Sequence, residues 1–81
     1  MTRDEILAKV QETFCDLLNN DDIVLSEEMG PNEVEGWNSL ALAQILTELE
    51  YENKFRFTLK ELMSIKNVGN ILDAIEAHLS K

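Results

Sequence analysis

The sequence is poor in residues that build covalent and metal-based sites, with one cysteine, one histidine and one proline among 81 residues. Cys15 alone cannot form an internal disulfide, which fits a reducing compartment. One Cys and one His cannot supply a typical zinc site, and His78 is the single candidate base for a nucleophilic triad. We therefore expect a protein without a metal site and without catalytic activity, in which His78 has a surface position near the end of the last helix.

Long apolar stretches are also absent. No run approaches the roughly 18 residues of a membrane span, and the amino terminus, MTRDE, lacks the apolar stretch of a signal peptide. The length allows one domain over residues 1–81, with a thin core that needs nearly every large apolar side chain. These features predict a single cytoplasmic domain without a membrane span.

Positive charge is missing from the middle of the chain, where no Lys or Arg stands between Lys9 and Lys54. The net charge is −9, and eleven carboxylates fall in that interval: Glu12, Asp16, Asp21, Asp22, Glu27, Glu28, Glu33, Glu35, Glu48, Glu50 and Glu52. Such a surface repels a phosphate backbone, so nucleic acid is not expected as a partner. Either it attracts basic patches on other proteins or it merely keeps a small protein in solution, and charge alone leaves both interpretations open.

Apolar residues recur at helical spacing in four segments, and strand-like alternation is scarce. The pattern predicts helices over about 3–18, 39–51, 59–64 and 68–80, with a loop over about 19–37. Thr2 with Glu5 and Thr58 with Glu61 form capping-box patterns, and Asn38 stands where it can cap the second helix. The expected fold class is all-α: a small four-helix bundle of three longer helices and one short one, with a long loop between helices 1 and 2.

The segment that most suggests chemistry is EGWNSL over residues 35–40, because it places Ser39 at the start of the second predicted helix. Asn and Ser are both favoured helix caps, so this segment alone also fits a purely structural role. Trp37 has two interpretations as well: it packs the loop onto the bundle, or it stays exposed as a partner contact.

The wider pattern resembles the signature of the acyl carrier protein family, usually G-x-D-S-L or W-D-S-L followed by L-[IV]-x-x-L-E. Here Gly36–Leu40 is followed by Ile45-Leu46 and Leu49-Glu50. The likeness continues through Phe55–Thr58 and Asn67–Ile71, so it covers nearly the whole chain at matching spacings. The chain is thus similar to stand-alone acyl carrier proteins, and their four-helix fold is the fold expected of it.

The resemblance implies that Ser39 carries a covalent 4'-phosphopantetheine arm from coenzyme A, with Asn38 and Leu40 flanking the attachment site. It also implies thioester-bound acyl cargo, and as partners a phosphopantetheinyl transferase and acyl-handling enzymes with basic docking surfaces. Fatty acyl, polyketide, aminoacyl and sugar-lipid cargo stay open. Asn38 stands where the family pattern has aspartate, and Ala41 where many relatives are acidic, so negative charge is missing beside the serine.

A partner-docking face is expected at the second helix, and its candidate residues are Trp37, Gln44, Glu48, Glu50, Tyr51 and Glu52. The alternative is an ordinary solvated helix surface. The alternative function is an acidic helical adaptor of carrier-like fold that is never modified and acts by protein–protein interaction. In either case a small acidic bundle is expected to be monomeric.

Overall fold

The computed structural model describes residues 2–79, which form four helices and no strand. The helices are α1 Arg3–Leu18, α2 Ser39–Asn53, α3 Leu59–Ser64 and α4 Val68–Leu79. The expected all-α class, with a long loop between the first two helices, is confirmed. Helix α2 continues past the predicted end at residue 51, and the predicted end of the last helix, Ser80, lies outside the described residues. No helix in the described part of the chain is long and apolar enough to pass through a bilayer.

Local sequence fixes where α1 and α3 begin. The hydroxyl oxygens of Thr2 and Thr58 accept hydrogen bonds from the amides of Glu5 and Glu61, at 3.2 and 3.1 Å. Each glutamate carboxylate accepts the amide of its own cap residue in return, at 2.9 and 2.7 Å. Both predicted capping boxes are therefore confirmed, and each satisfies two amides that have no acceptor inside the helix.

The core forms where α1 packs against α2 and α4. Its fully buried large side chains are Val10, Phe14, Ile45, Leu49, Val68, Ile71, Leu72 and Ile75. Within each helix these residues are three or four positions apart or adjacent, so each helix turns one apolar stripe inward. Helix α3 contributes no buried residue and lies outside this core.

The loop between α1 and α2 is pinned to the bundle along its length. Leu25 and Val34 are buried in the core, and the amide of Gly69 donates to the carbonyl of Glu27 at 2.9 Å. A Cβ added at Gly69 would stand 3.2 Å from that same carbonyl oxygen, closer than nearly all real Cβ contacts. Glycine therefore permits the loop to approach the first turn of α4.

Arg3 joins the loop to both terminal helices. Its Nη2 lies 2.6 Å from Glu27 Oε1, its Nη1 lies 3.0 Å from Asp73 Oδ1, and Nη1 also contacts Glu76. Hydrogen bonding to Glu27, above all, raises the pKa of Arg3 beyond its usual value, so the guanidinium stays charged at any pH at which the protein folds. One side chain thus connects the start of α1, the loop and α4.

The connector between α2 and α3 inserts two rings beside α4. Phe55 and Phe57 meet edge to face with centroids 4.9 Å apart, and the ring of His78 stacks on Phe55 at 4.5 Å with 4° between the planes. Nε2 of His78 lies 2.8 Å from Oε1 of Glu61 in α3. His78 has the expected position in the last turn of α4, but its side chain is only 14% exposed because the connector folds over it.

Candidate functional site

Ser39 is the first residue of α2, and its side chain is exposed. Two residues earlier, Trp37 is only 6% exposed, and its ring meets Phe14 of α1 edge to face at 5.0 Å. Gly36 makes the turn before it with φ +89°, a conformation that side chains with a Cβ rarely adopt. The chain therefore enters the bundle at Trp37 and emerges again at Ser39, which holds the hydroxyl at a fixed point on the surface.

The amino end of α2 favours an anion. Asn38 Oδ1 accepts the amide of Ala41 at 2.8 Å, which leaves the amides of Ser39 and Leu40 without an acceptor inside the helix. The first turn of α2 contains no acidic residue, unlike those of α1 and α3. The positive end of the helix dipole is thus uncompensated by protein charge at the position where the serine hydroxyl stands.

A groove of about 310 Å³ runs from Ser39 between α2 and α3. Its lining residues are Ser39, Leu42, Ala43, Leu46, Thr47, Glu50 and Leu62. Most of these side chains are apolar, and the one carboxylate among them, that of Glu50, accepts the amide of Phe57 at 2.6 Å. The groove therefore offers a largely apolar surface that begins at the serine.

No family model matches the sequence. The structure matches the solution structure of the holo form of an acyl carrier protein from Geobacter metallireducens, with a TM-score of 0.84 and 32% sequence identity. The match covers 91% of this chain and 85% of that one. The chain belongs to the acyl carrier protein family.

Two further proteins resemble this acyl carrier chain. A structure from Mycobacterium tuberculosis, provisionally assigned as an acyl carrier protein, has a TM-score of 0.79 at 23% identity over 95% of this chain and 99% of that one, which shows the shared fold. The non-reducing polyketide synthase pkdA of Emericella nidulans is 33% identical over 76 residues, 93% of this chain. The chain spans only 3% of the length of that synthase. Acyl carrier proteins are carriers rather than catalysts, and membership of this family agrees with the expectation that this domain does not itself catalyse a reaction.

The structure places the expected attachment residues of the carrier together. Asn38, Ser39 and Leu40 are consecutive and exposed at the start of α2. Leu40 is apolar, but its side chain is 71% exposed. It is outward-facing because it lies about 100° around the helix from Ser39 and away from the buried Ile45 and Leu49.

Of the expected docking residues of the carrier, four share one side of α2, because Gln44, Glu48, Tyr51 and Glu52 follow one another at helical spacing. The docking interpretation of Trp37 is wrong, because its ring is buried against Phe14 and cannot meet a partner. Glu50 is half-buried at the groove and bonded to the backbone of the connector. Gln44 and Tyr51 are exposed on the outer side of α2.

Glu48 and Glu52 lie on the side of α2 that faces α1. Partial burial, followed by repulsion from Glu48, raises the pKa of Glu52, and the α1 carboxylates of Glu12 and Asp16 add to the effect. The nearby ammonium group of Lys9 opposes part of this effect. Four carboxylates therefore share this margin of the carrier, which we call the acidic edge (Glu12, Asp16, Glu48 and Glu52). Its position on the α1 side separates it from the groove beside Ser39.

Sequence reasoning missed the part played by α3. Leu62 lines the groove opposite Ser39, and Leu59 and Met63 are largely exposed next to it. Apolar residues at helical spacing in a short helix are expected to be buried, and these three are not. The sequence carries no signal for this exposure, because Leu59, Leu62 and Met63 have the i, i+3, i+4 spacing of a buried helical stripe.

Proposed function

We propose that this chain carries acyl intermediates as thioesters on a 4'-phosphopantetheine arm attached to Ser39 Oγ. The observation that supports the attachment point most directly is the exposed hydroxyl at the first residue of α2, beside a groove that begins there. A transferase active site can reach a hydroxyl in this position without disturbing the core. The serine also lies within the family motif, and the Geobacter relative is described as a holo protein.

The residues around Ser39 fit the phosphate of such an arm. The amides of Ser39 and Leu40 point out of the helix, and no acidic side chain in the first turn of α2 opposes a new anion. A phosphodiester at this point would meet the positive end of a 15-residue helix, where negative charge is favoured. When bound, the arm supplies the thiol that holds the cargo, and the protein supplies the anchor.

The groove between α2 and α3 gives the apolar part of a cargo a surface to lie against. Leu42, Leu46 and Leu62 provide its apolar walls, and Thr47 supplies a second hydroxyl group beside that of Ser39. The match to a polyketide synthase favours polyketide intermediates among the cargo classes that the sequence leaves open. The partners in this proposal are a phosphopantetheinyl transferase and acyl-handling enzymes, acting on a monomer in a reducing compartment such as the cytoplasm, where the free thiol of Cys15 is stable.

Mass spectrometry of the intact protein tests the proposal. Incubation with coenzyme A and a broad-specificity phosphopantetheinyl transferase should add one phosphopantetheinyl group to the wild-type chain and none to Ser39→Ala. The matched control is Ser26→Ala, because Ser26 is also exposed but lies in the loop away from α2.

Three results would distinguish the alternatives. Modification of wild type and Ser26→Ala, but not of Ser39→Ala, supports the carrier function. Modification of Ser39→Ala would place the attachment elsewhere. A wild-type chain that several transferases, including one from its own host, leave unmodified would refute the carrier function and favour the unmodified adaptor.

A further inference from the structure

The groove that begins at Ser39 combines apolar walls with very few polar groups. Four of its seven lining residues are leucine or alanine, whose side chains have no polar atom. Its polar side chains are those of Ser39, Thr47 and Glu50. What these three side chains can donate or accept therefore decides which polar groups of a cargo the groove can match.

The hydroxyl group of Thr47 already donates its hydrogen within the helix. Its Oγ1 donates to the backbone carbonyl of Ala43, one turn earlier in α2, at 2.8 Å. A threonine hydroxyl has one hydrogen and two lone pairs, so this bond uses the hydrogen and leaves a lone pair available. Toward a molecule in the groove, Thr47 therefore acts as a hydrogen-bond acceptor.

Glu50 is the second acceptor of the groove. Its Oε2 accepts the amide of Phe57 at 2.6 Å, which holds the half-buried side chain against the connector. This bond leaves Oε1 without a donor among the residues that the structure describes. An ionised carboxylate has no hydrogen of its own to donate. Glu50 therefore also offers lone pairs to a cargo and nothing else.

Attachment of the arm would remove the remaining side-chain donor of the groove. In the proposed carrier Ser39 Oγ is esterified, so its hydrogen is replaced by the phosphorus of the arm. Backbone amides in the interior of α2 donate to carbonyls of the same helix, and the amide of Leu62 donates to the carbonyl of Thr58 at 3.0 Å. The lining residues of the loaded groove thus offer apolar surface and hydrogen-bond acceptors, and no free donor.

The two acceptors form a pair at the end of the groove away from Ser39. With a rise of about 1.5 Å per residue, Thr47 lies about 12 Å and Glu50 about 16.5 Å from Ser39 along the helix axis. Residues three positions apart lie on the same side of a helix, so the acceptors are neighbours. A hydrocarbon chain that reaches them displaces their water without replacing its hydrogen bonds, which is unfavourable.

We propose that the groove selects acyl chains that carry hydroxyl groups, and that Thr47 and Glu50 determine this preference. The proposal rests on the function proposed above and narrows the classes of cargo that it leaves open. A hydroxyl group donates to either acceptor, whereas a ketone has only lone pairs and a saturated chain has neither. An amine would donate as well, but an ammonium ion among leucine side chains loses hydration at a cost that a neutral hydroxyl group does not incur.

Protection of the thioester from hydroxylamine tests the preference. A broad-specificity transferase loads Ser39 from coenzyme A thioesters of four chains: octanoyl, octanoyl hydroxylated at the β carbon or at the penultimate carbon, and octanoyl with a ketone at the penultimate carbon. Each cleavage rate is divided by that of the same thioester on free pantetheine, which removes differences in intrinsic reactivity. The hydroxylated chains should be cleaved about threefold to tenfold more slowly than the other two, as expected for a hydrogen bond to a partly exposed acceptor.

Two substitutions assign the preference to its residues. Thr47→Val keeps the branched shape but removes the oxygen, so it should reduce the protection of the hydroxylated chains. In Glu50→Gln the new amide can accept the Phe57 amide through its oxygen and turn its NH₂ group toward the groove, so the keto chain should gain protection at the expense of the hydroxylated chains. Glu48→Gln is the matched control, because it removes the same charge from α2 but Glu48 does not line this groove.

Amide chemical shifts in NMR spectra show where the chain lies. The amides of Thr47, Glu50 and Phe57 should shift when a hydroxylated chain is loaded, and less when octanoyl is loaded. Circular dichroism of the variants checks that the fold is intact, and Thr47→Val decides the question by itself if Glu50→Gln loosens the connector.

Three results would overturn the inference while leaving the proposed function intact. The first is octanoyl protected as well as the hydroxylated chains. The second is a hydroxyl preference that Thr47→Val and Glu50→Gln both retain. The third is a full shift of the Thr47 and Glu50 amides with the unloaded arm, which would mean that donors of the arm itself occupy both acceptors. If the wild-type chain accepts no arm, the proposed function fails and this inference fails with it.

Discussion

Replacement of Trp37 by alanine should destabilise the whole domain, although the residue lies in a loop. Its ring is 6% exposed and packs edge to face on Phe14, at a centroid distance of 5.0 Å. Truncating a buried Trp to Ala costs about 3–5 kcal/mol, which combines lost burial with the cavity left behind. Domains of this size are stable by about 4–12 kcal/mol, at about 0.05–0.15 kcal/mol per residue. The substitution therefore removes a large share of the total stability.

Urea denaturation followed by far-ultraviolet circular dichroism measures this loss directly. Trp37→Ala should unfold at a much lower urea concentration than wild type, whereas Trp37→Phe, which keeps an aromatic ring near Phe14, should lose less. Tyr51→Ala is the control, because Tyr51 is an aromatic residue of the adjacent helix with 82% exposure, and its loss should change stability by no more than about 0.5 kcal/mol. If Trp37→Ala and Tyr51→Ala unfold at the same urea concentration as wild type, the assignment of Trp37 to the core is incorrect.

Three further substitutions test other parts of the structure. Gly36→Ala should lower the free energy of unfolding by about 1–2 kcal/mol, since alanine is strained at φ +89°, and an unchanged thermal midpoint would contradict this backbone assignment. His78→Ala should lower the free energy of unfolding by about 1–2 kcal/mol, because the stacked ring and the hydrogen bond to Glu61 are lost. His78→Phe should restore the share of this free energy that stacking on Phe55 contributes. Glu52→Gln should stabilise the fold by a few tenths of a kcal/mol at pH 7 and not at pH 3, as judged by urea midpoints at the two pH values. The sign follows from the raised pKa of Glu52, because the folded state favours the protonated form of this carboxyl group. The protonated group therefore stabilises the fold below the unfolded pKa near 4.5, and this stabilisation is lost as the pH rises through the folded pKa.

The helices could be predicted from the sequence because the signals that start them are local. Thr58 and Glu61 are three positions apart, and Asn38 caps an amide three residues ahead, so neither arrangement depends on the rest of the fold. The position of Ser39 at the start of α2 follows from the same local signal. These parts of the site required no knowledge of tertiary packing.

The orientation of larger side chains could not be predicted in the same way. Trp37 is buried because Phe14, 23 positions earlier in the chain, lies beneath it, and His78 is covered because a connector from another part of the chain folds over it. Both outcomes depend on contacts between distant segments. Leu40 shows the opposite case, since an apolar residue within a periodic stripe stays exposed where no neighbouring helix reaches it.

The separation of Glu50 from Glu48 and Glu52 follows from helix geometry alone. Successive residues of a helix are about 100° apart, so Glu50 must point away from Glu48 and Glu52. Treating the three as one docking face ignored that rotation. The angle alone separates the carboxylate at the groove from the two at the acidic edge.

The small buried area of α3 has a consequence for the size of cargo that the protein can hold. This helix buries none of its six residues, and its visible ties to the bundle are few, among them the bond from His78 to Glu61. Elements with so little buried area detach at a small fraction of the global unfolding free energy. We therefore expect the α3 wall beside the serine to open more readily than α1, α2 and α4, so the space of about 310 Å³ is the volume of this one conformation. Acyl chains of different length could then be accommodated by movement of α3 alone, without rearrangement of the core.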